Sequence, residues 1–202
     1  MGISCHQVTA LDLGACGVHP KRIEEIASMS DYVKPLMDFM ASLSDEEKFA
    51  LVGHSYGGLC ISLAMQSFPR KISVAVFVSA YLPHFKEPPV VFIQEVVNEN
   101  YLKRTPMEAV MGGKFTFDQG DGNLPNSVVL GSDYIAKMYQ PCAIEDIELA
   151  KMLVRPHPFF IEDMAKESLL TEEKYGSIKR DFVLCEDDQV VGERISEVYD
   201  RT

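Results

Sequence analysis

The stretch that most constrains this chain is residues 48–65, centred on Gly53-His54-Ser55-Tyr56-Gly57-Gly58. Phe49, Ala50, Leu51 and Val52 form a short apolar run, as a buried strand would. Leu59, Ile61, Leu63, Ala64 and Met65 follow without a proline, which predicts a helix. A strand that turns directly into a helix through G-x-S-x-G is a nucleophile elbow. In so tight a turn, side chains at Gly53 and Gly57 are expected to collide with neighbouring backbone. Ser55 would then stand exposed, with its hydroxyl at a helix start where backbone N–H groups and the dipole favour an oxyanion. The same letters could be a glycine-rich turn with an idle serine. The strand before, the helix after and the extra Gly58 favour the nucleophile.

The surroundings of this turn predict an α/β fold. Residues 7–13 read as a strand, and Gly14, Gly17 and Pro20 mark the loop after it. Residues 21–26 read as a short helical turn. Ser30-Asp31 offers a cap for a helix that carries Val33, Leu36, Met37, Met40 and Leu43 at three- and four-residue spacing. Pro35 is tolerable there only near the first turn. Phe68-Pro69 ends the helix after the elbow. Residues 71–80, with Ile72, Val74, Val76 and Val78, read as a buried parallel strand. Strand and helix in alternation give α/β with a parallel sheet.

Composition narrows the setting. A chain of 202 residues with 47% hydrophobic content can bury one core. A net charge of -11 argues against nucleic acid or an anionic membrane as partner. Cys5, Cys16, Cys60, Cys142 and Cys185 are an odd number without CxxC spacing, which suits a reduced, cytoplasmic protein without a metal site or cofactor. No apolar run is long enough to span a bilayer and no signal-peptide pattern opens the chain. Met1-Gly2 does not complete a myristoylation motif, because His6 stands where Ser or Thr is needed.

After Tyr81 the pattern changes. Residues 84–89 read as a linker and 90–101 as a helix. Residues 112–125 are loop-rich, with room for a short strand pair. Residues 133–139 and 144–154 read as helices, Pro156-His157-Pro158 as a break, and 159–166 as helix again. Residues 182–185 return to strand, and 193–199 read as a helix. An excursion of this size between two core strands predicts a lid, 81–177, inserted into a core of 1–80 and 178–202.

The chain resembles the plant methylesterase family of α/β-hydrolases, which includes salicylic-acid-binding methylesterases and hydroxynitrile lyases. The resemblance is carried by residues 8–13 (Val-Thr-Ala-Leu-Asp-Leu), 51–58 (Leu-Val-Gly-His-Ser-Tyr-Gly-Gly), Phe68-Pro69 with Ala75-Val76-Phe77, 153–156 (Leu-Val-Arg-Pro) and 175–180 (Tyr-Gly-Ser-Ile-Lys-Arg). It weakens between about 88 and 126. It implies an α/β-hydrolase fold, doubly wound and mainly parallel, with a helical lid. It implies cleavage of methyl esters of small hormone acids such as salicylate, jasmonate and indole acetate. Ser55 matches the nucleophile, the Tyr56 N–H the oxyanion donor and Asp188 the acid. Glu186-Asp187-Asp188 could equally be a solvated acidic turn.

Two departures accompany the match. The family's first strand, with its second oxyanion donor, precedes the point where this sequence begins. Its last strand and Gly-x-x-His loop follow Thr202, so the resemblance implies a form truncated at both ends and impaired in catalysis. The histidines are His6, His19, His54, His84 and His157, none downstream of Asp188. His54 is expected to point away from Ser55. His84 and His157, in the lid region, are expected to be exposed loop residues, although either could approach the pocket. The partner is a small-molecule ester or acid, and a homodimer is left open. The alternatives are an inactive hydrolase that binds such an acid, and a hydroxynitrile lyase.

Overall fold

The computed structural model describes residues 7–91, 94, 112–117, 125–166 and 169–185. The expected helices over 90–101 and 193–199 lie largely or wholly outside them. Strand β1 (Phe49–His54) pairs in parallel with β2 (Ile72–Val78), which pairs in parallel with β6 (Arg180–Val183). Between β2 and β6 the chain builds a second, antiparallel sheet of three short strands, β3 (Lys114–Thr116), β4 (Ser127–Val129) and β5 (His157–Pro158). The helices Ser132–Met138, Ile144–Leu153 and Ile161–Met164 also fall in this stretch.

Helix α1 (Met29–Ser42) forms where apolar spacing predicts it, but begins earlier. Its cap is Ser28, whose Oγ accepts from Asp31 N at 3.1 Å and donates to Asp31 Oδ2 at 2.9 Å. Met29 N is capped from afar by Asp163 Oδ2 at 2.7 Å. Lys166, and secondarily the Met29 N–H, hold the Asp163 carboxyl below its usual pKa. With the start moved back, Pro35 lies inside the helix rather than in its first turn. Met29, Tyr32, Val33, Leu36 and Met40 form its buried stripe. At the other end Lys71 Nζ donates to the carbonyls of Met40 (3.1 Å) and Leu43 (2.7 Å), groups that a helix terminus leaves without internal donors.

Helix α2 (Gly57–Ser67) runs through the middle of the core, and every residue from Gly58 to Met65 is buried. Phe77, behind it on β2, is fully buried. The β1 run differs from expectation: only one face is buried, and Val52 is 65% exposed on the other. Residues 7–13 differ too. They are irregular and Val8 is 84% exposed, because an extended segment becomes a strand only against a ladder partner and none of the described strands pairs with it. The helix expected over 159–166 contracts to Ile161–Met164, since Phe160 takes a left-handed conformation that no helix continues through.

The Tyr-Gly-Ser-Ile-Lys-Arg stretch acquires a structural role. Its first residues close a π-turn, Glu172–Gly176. Tyr175 is fully buried there, its hydroxyl donating to Pro83 O at 2.7 Å, and the Arg180 guanidinium lies 4.9 Å from its ring centroid. Gln66 of α2 accepts from Thr171 N at 3.0 Å, so the turn that leads into β6 is fastened to the helix behind the elbow.

Candidate active site

Ser55 occupies the junction between β1 and α2 with φ 53, a left-handed conformation that costs a serine energy and persists only where the surroundings enforce it. The enforcement is visible. Ser55 O accepts from Gly58 N at 3.1 Å and from Tyr81 N at 2.9 Å. A Cβ at Gly53 would stand 2.8 Å from the carbonyl carbon and oxygen of Gly57. The second indispensable glycine is Gly58 and not Gly57. A Cβ at Gly58 would meet Tyr81 O at 2.1 Å, whereas one at Gly57 would meet nothing within 4 Å. The helix start turns Gly57 outward and brings Gly58 under the chain that leaves β2, so the collision expected at Gly57 falls one residue later.

Ser55 is exposed and Tyr56 is buried, as neighbours at a sharp corner must be. Tyr56 has helical dihedrals, φ -59 and ψ -21, and immediately precedes the first residue of α2. Its N–H therefore belongs to the unpaired donors of a helix N-terminus. Its side chain turns inward. The hydroxyl donates to Phe159 O at 3.0 Å, and burial pushes the phenol well above its usual pKa, so it stays a donor.

The carboxyl ends of the three parallel strands come together here. His54 is level with Val78, and Val78 with Val183. Ser79, just past β2, has φ 38 and is buried. Its N donates to Val183 O at 2.9 Å, and its Oγ accepts from Cys185 N at 3.2 Å. The chain that runs on to the acidic triplet thus leaves β6 at the edge where Ser55 sits. Asp188 itself lies outside the described residues, as do Glu186 and Asp187.

His157 is placed differently from expectation. It is not an exposed loop residue. It belongs to β5, its ring centroid is 4.2 Å from that of Tyr56, and its Nδ1 is 3.4 Å from Tyr32 Oη. Its Nε2 is buried and has no hydrogen-bond partner among the described residues. Part of the residue reaches the surface, but Nε2 does not, and desolvation lowers its pKa to about 4. Tyr32 in turn touches Cys16 Sγ at 3.3 Å. No local pattern announces this chain of polar groups; a histidine flanked by prolines reads as surface. His19 Nδ1 accepts from Ala15 N and Lys21 N, each at 3.2 Å, and His84 Nδ1 accepts from Lys86 N at 3.0 Å. Among the described residues no histidine is hydrogen-bonded to Ser55, and no group of three His, Cys, Asp or Glu could hold a metal ion. No helix among them is long and apolar enough to cross a membrane.

The geometry agrees with what the chain is similar to. The family described as alpha/beta hydrolase fold matches residues 5–202. Methylesterase 10 of Arabidopsis thaliana is 47% identical over 191 residues, which is 94% of this chain and 68% of that protein. Methyl jasmonate esterase 1 of Vitis vinifera is 45% identical over 190 residues, 93% of this chain and 70% of that protein. The crystal structure of polyneuridine aldehyde esterase superposes with a TM-score of 0.84 at 38% identity, covering 97% of this chain and 75% of that one. With its elbow, its parallel sheet and this degree of identity, the chain belongs to the plant methylesterase type of the α/β-hydrolases, a family of esterases.

Proposed function

We propose that this chain cleaves methyl esters of small carboxylic acids through an acyl-serine intermediate. The left-handed, exposed Ser55 at the strand–helix junction carries the reading. The Ser55 oxygen attacks the ester carbonyl carbon, and the oxyanion that forms is met by the Tyr56 N–H at the start of α2. Collapse expels methanol, and water then attacks the acyl-serine to release the acid. Asp188, which follows β6 along the sequence, is the acid of the triad in this reading. In the same reading residues 81–177 serve as the lid. A relative that is a methyl jasmonate esterase, and the resemblance to salicylate methylesterases, favour jasmonate and salicylate esters as substrates.

His19, His84 and His157 support a second reading, in which the pocket holds a small acid without turning over its ester. His19 and His84 use Nδ1 to accept backbone N–H groups, and His157 is buried with a pKa of about 4, too low for a base at neutral pH. Low turnover is therefore expected of the 202-residue chain assayed alone. The test is hydrolysis of methyl salicylate and methyl jasmonate by the purified chain beside Ser55→Ala, with labelling by a fluorophosphonate. Turnover and labelling that both vanish in Ser55→Ala establish the esterase. Tight binding of salicylate or jasmonate without either establishes the binding protein.

A further inference from the structure

We propose that the Tyr56 side chain is a positioning residue: it latches the Ser55–Tyr56 corner to lid strand β5, so that the reactivity of Ser55 depends on how residues 157–164 are seated. The inference rests on the nucleophile reading of Ser55 and adds to it the element that controls it.

Main-chain contacts brace the elbow through Gly58 N and Tyr81 N to Ser55 O and through the close approaches of Gly58 to Tyr81 and of Gly53 to Gly57. A side chain braces it further. The Tyr56 hydroxyl reaches Phe159 O at 3.0 Å, and its ring lies edge to face against His157 and against Tyr81, with centroids 4.2 and 5.4 Å away. The accepting residue is itself anchored, because Phe159 N donates to Asn126 O at 2.9 Å. The chain then bends through left-handed Phe160 into the helix that carries Asp163 to Met29 N. From Met29, α1 returns Tyr32 to the His157 ring. These contacts close a loop: Tyr56, Phe159, Asp163, Met29, Tyr32, His157 and back to Tyr56. Moving β5 or the helix after it must move Tyr56, whose own N–H is the oxyanion donor in the mechanism above.

The test uses the whole chain with Tyr56→Phe, which keeps the ring and removes only the donor. Asp163→Ala, which removes the acceptor for Met29 N, serves as a second cut in the same loop. Hydrogen exchange reads the latch. The amides of Met164 and Ala165, bonded to Phe160 O and Ile161 O, should exchange roughly tenfold faster in both variants, as loss of one net hydrogen bond implies, while those in the middle of α1 stay unchanged. Phosphonylation of Ser55 by a fluorophosphonate reads the positioning. Its maximal rate should fall about tenfold with half-saturation unchanged, since oriented donors act on the reacting state and not on ground-state binding. Unaltered exchange in Tyr56→Phe overturns the latch. Faster exchange with an unaltered labelling rate makes the contact merely structural and overturns the positioning role. If the wild-type chain labels no faster than Ser55→Ala, the nucleophile reading fails and the positioning role with it, while the exchange data still report whether the latch exists.

Discussion

Gly58 lies directly beneath the carbonyl of Tyr81, so close that a methyl group on Gly58 would sit 2.1 Å from that oxygen. The contact is backbone to backbone, and no side chain can swing aside to relieve it. Gly58→Ala is therefore expected to lose about 1–3 kcal/mol or more, as overpacking does. Gly57→Ala faces open space and should fall within about 1 kcal/mol of wild type, on the stabilising side, because alanine is the better helix former. Urea unfolding of the two variants checks the contrast, and equal losses would show that the turn, not the Tyr81 contact, sets the need for glycine.

Lys71 is buried, and its Nζ contacts Met40 O, Leu43 O and the Asp45 carboxylate, the last at 3.1 Å. The carbonyls matter more than the carboxylate, because the Asp45 side chain is exposed and water screens the pair. Lys71→Met is expected to cost about 1–3 kcal/mol, the range for stranding buried acceptors. Asp45→Asn should cost no more than about 0.5 kcal/mol. Thermal melts of both variants decide it, and an Asp45→Asn loss as large as that of Lys71→Met would refute the ranking.

The buried imidazole of His157 makes stability depend on pH in a defined direction. Unfolded, it takes a proton near 6.5; folded, only near about 4. Between those values the unfolded chain holds a proton that the native chain refuses, so stability falls as pH drops through 6.5 and stops falling from this source near 4. The difference, 6.5 minus 4, corresponds to about 3 kcal/mol in total. His157→Leu should flatten the profile in that window relative to wild type. Parallel profiles for the two proteins between pH 4 and 6.5 would mean that the ring takes up its proton in the native state as easily as in water.

Ser79 combines strain with a useful hydroxyl. Removing the hydroxyl in Ser79→Ala leaves Cys185 N without its acceptor and keeps the strain at φ 38, for a loss of about 1 kcal/mol. Ser79→Gly also loses the acceptor but relieves the backbone, so it should be the more stable of the two. In both, the Cys185 amide should exchange faster. If Ser79→Ala proves the more stable, the backbone strain is not real.

The parts of this fold that local chemistry decides were legible in the residues. Two glycines around a serine, an apolar run before and a proline-free run after suffice for the elbow. The stripe from Val33 to Met40 suffices for α1, and the β-branched residues from Ile72 to Val78 for β2. What escaped depends on distant partners. The α1 start is set by Ser28 together with Asp163, whose approach no local pattern announces. Residues 7–13 carry a strand's composition, but a strand is a property of a pair. The need for Gly58 comes from Tyr81, and the burial of His157 from Tyr32 and Tyr56, elements that meet only in three dimensions.

The pairing of β2 with β6 carries a kinetic consequence. Val78 and Val183 are neighbours in space, but residues 79–182 separate them along the chain. The β1–α2–β2 unit, by contrast, closes within residues 49–78. Loop-closure entropy disfavours the long-range pairing until other contacts compensate for it, which slows its formation. The elbow is therefore expected to assemble early, and β6 to dock late. Substitutions within β1 and α2 should slow refolding, whereas those in β6 should mainly speed unfolding. Ser55 would then wait, already strained, for the strand that leads towards its candidate acid.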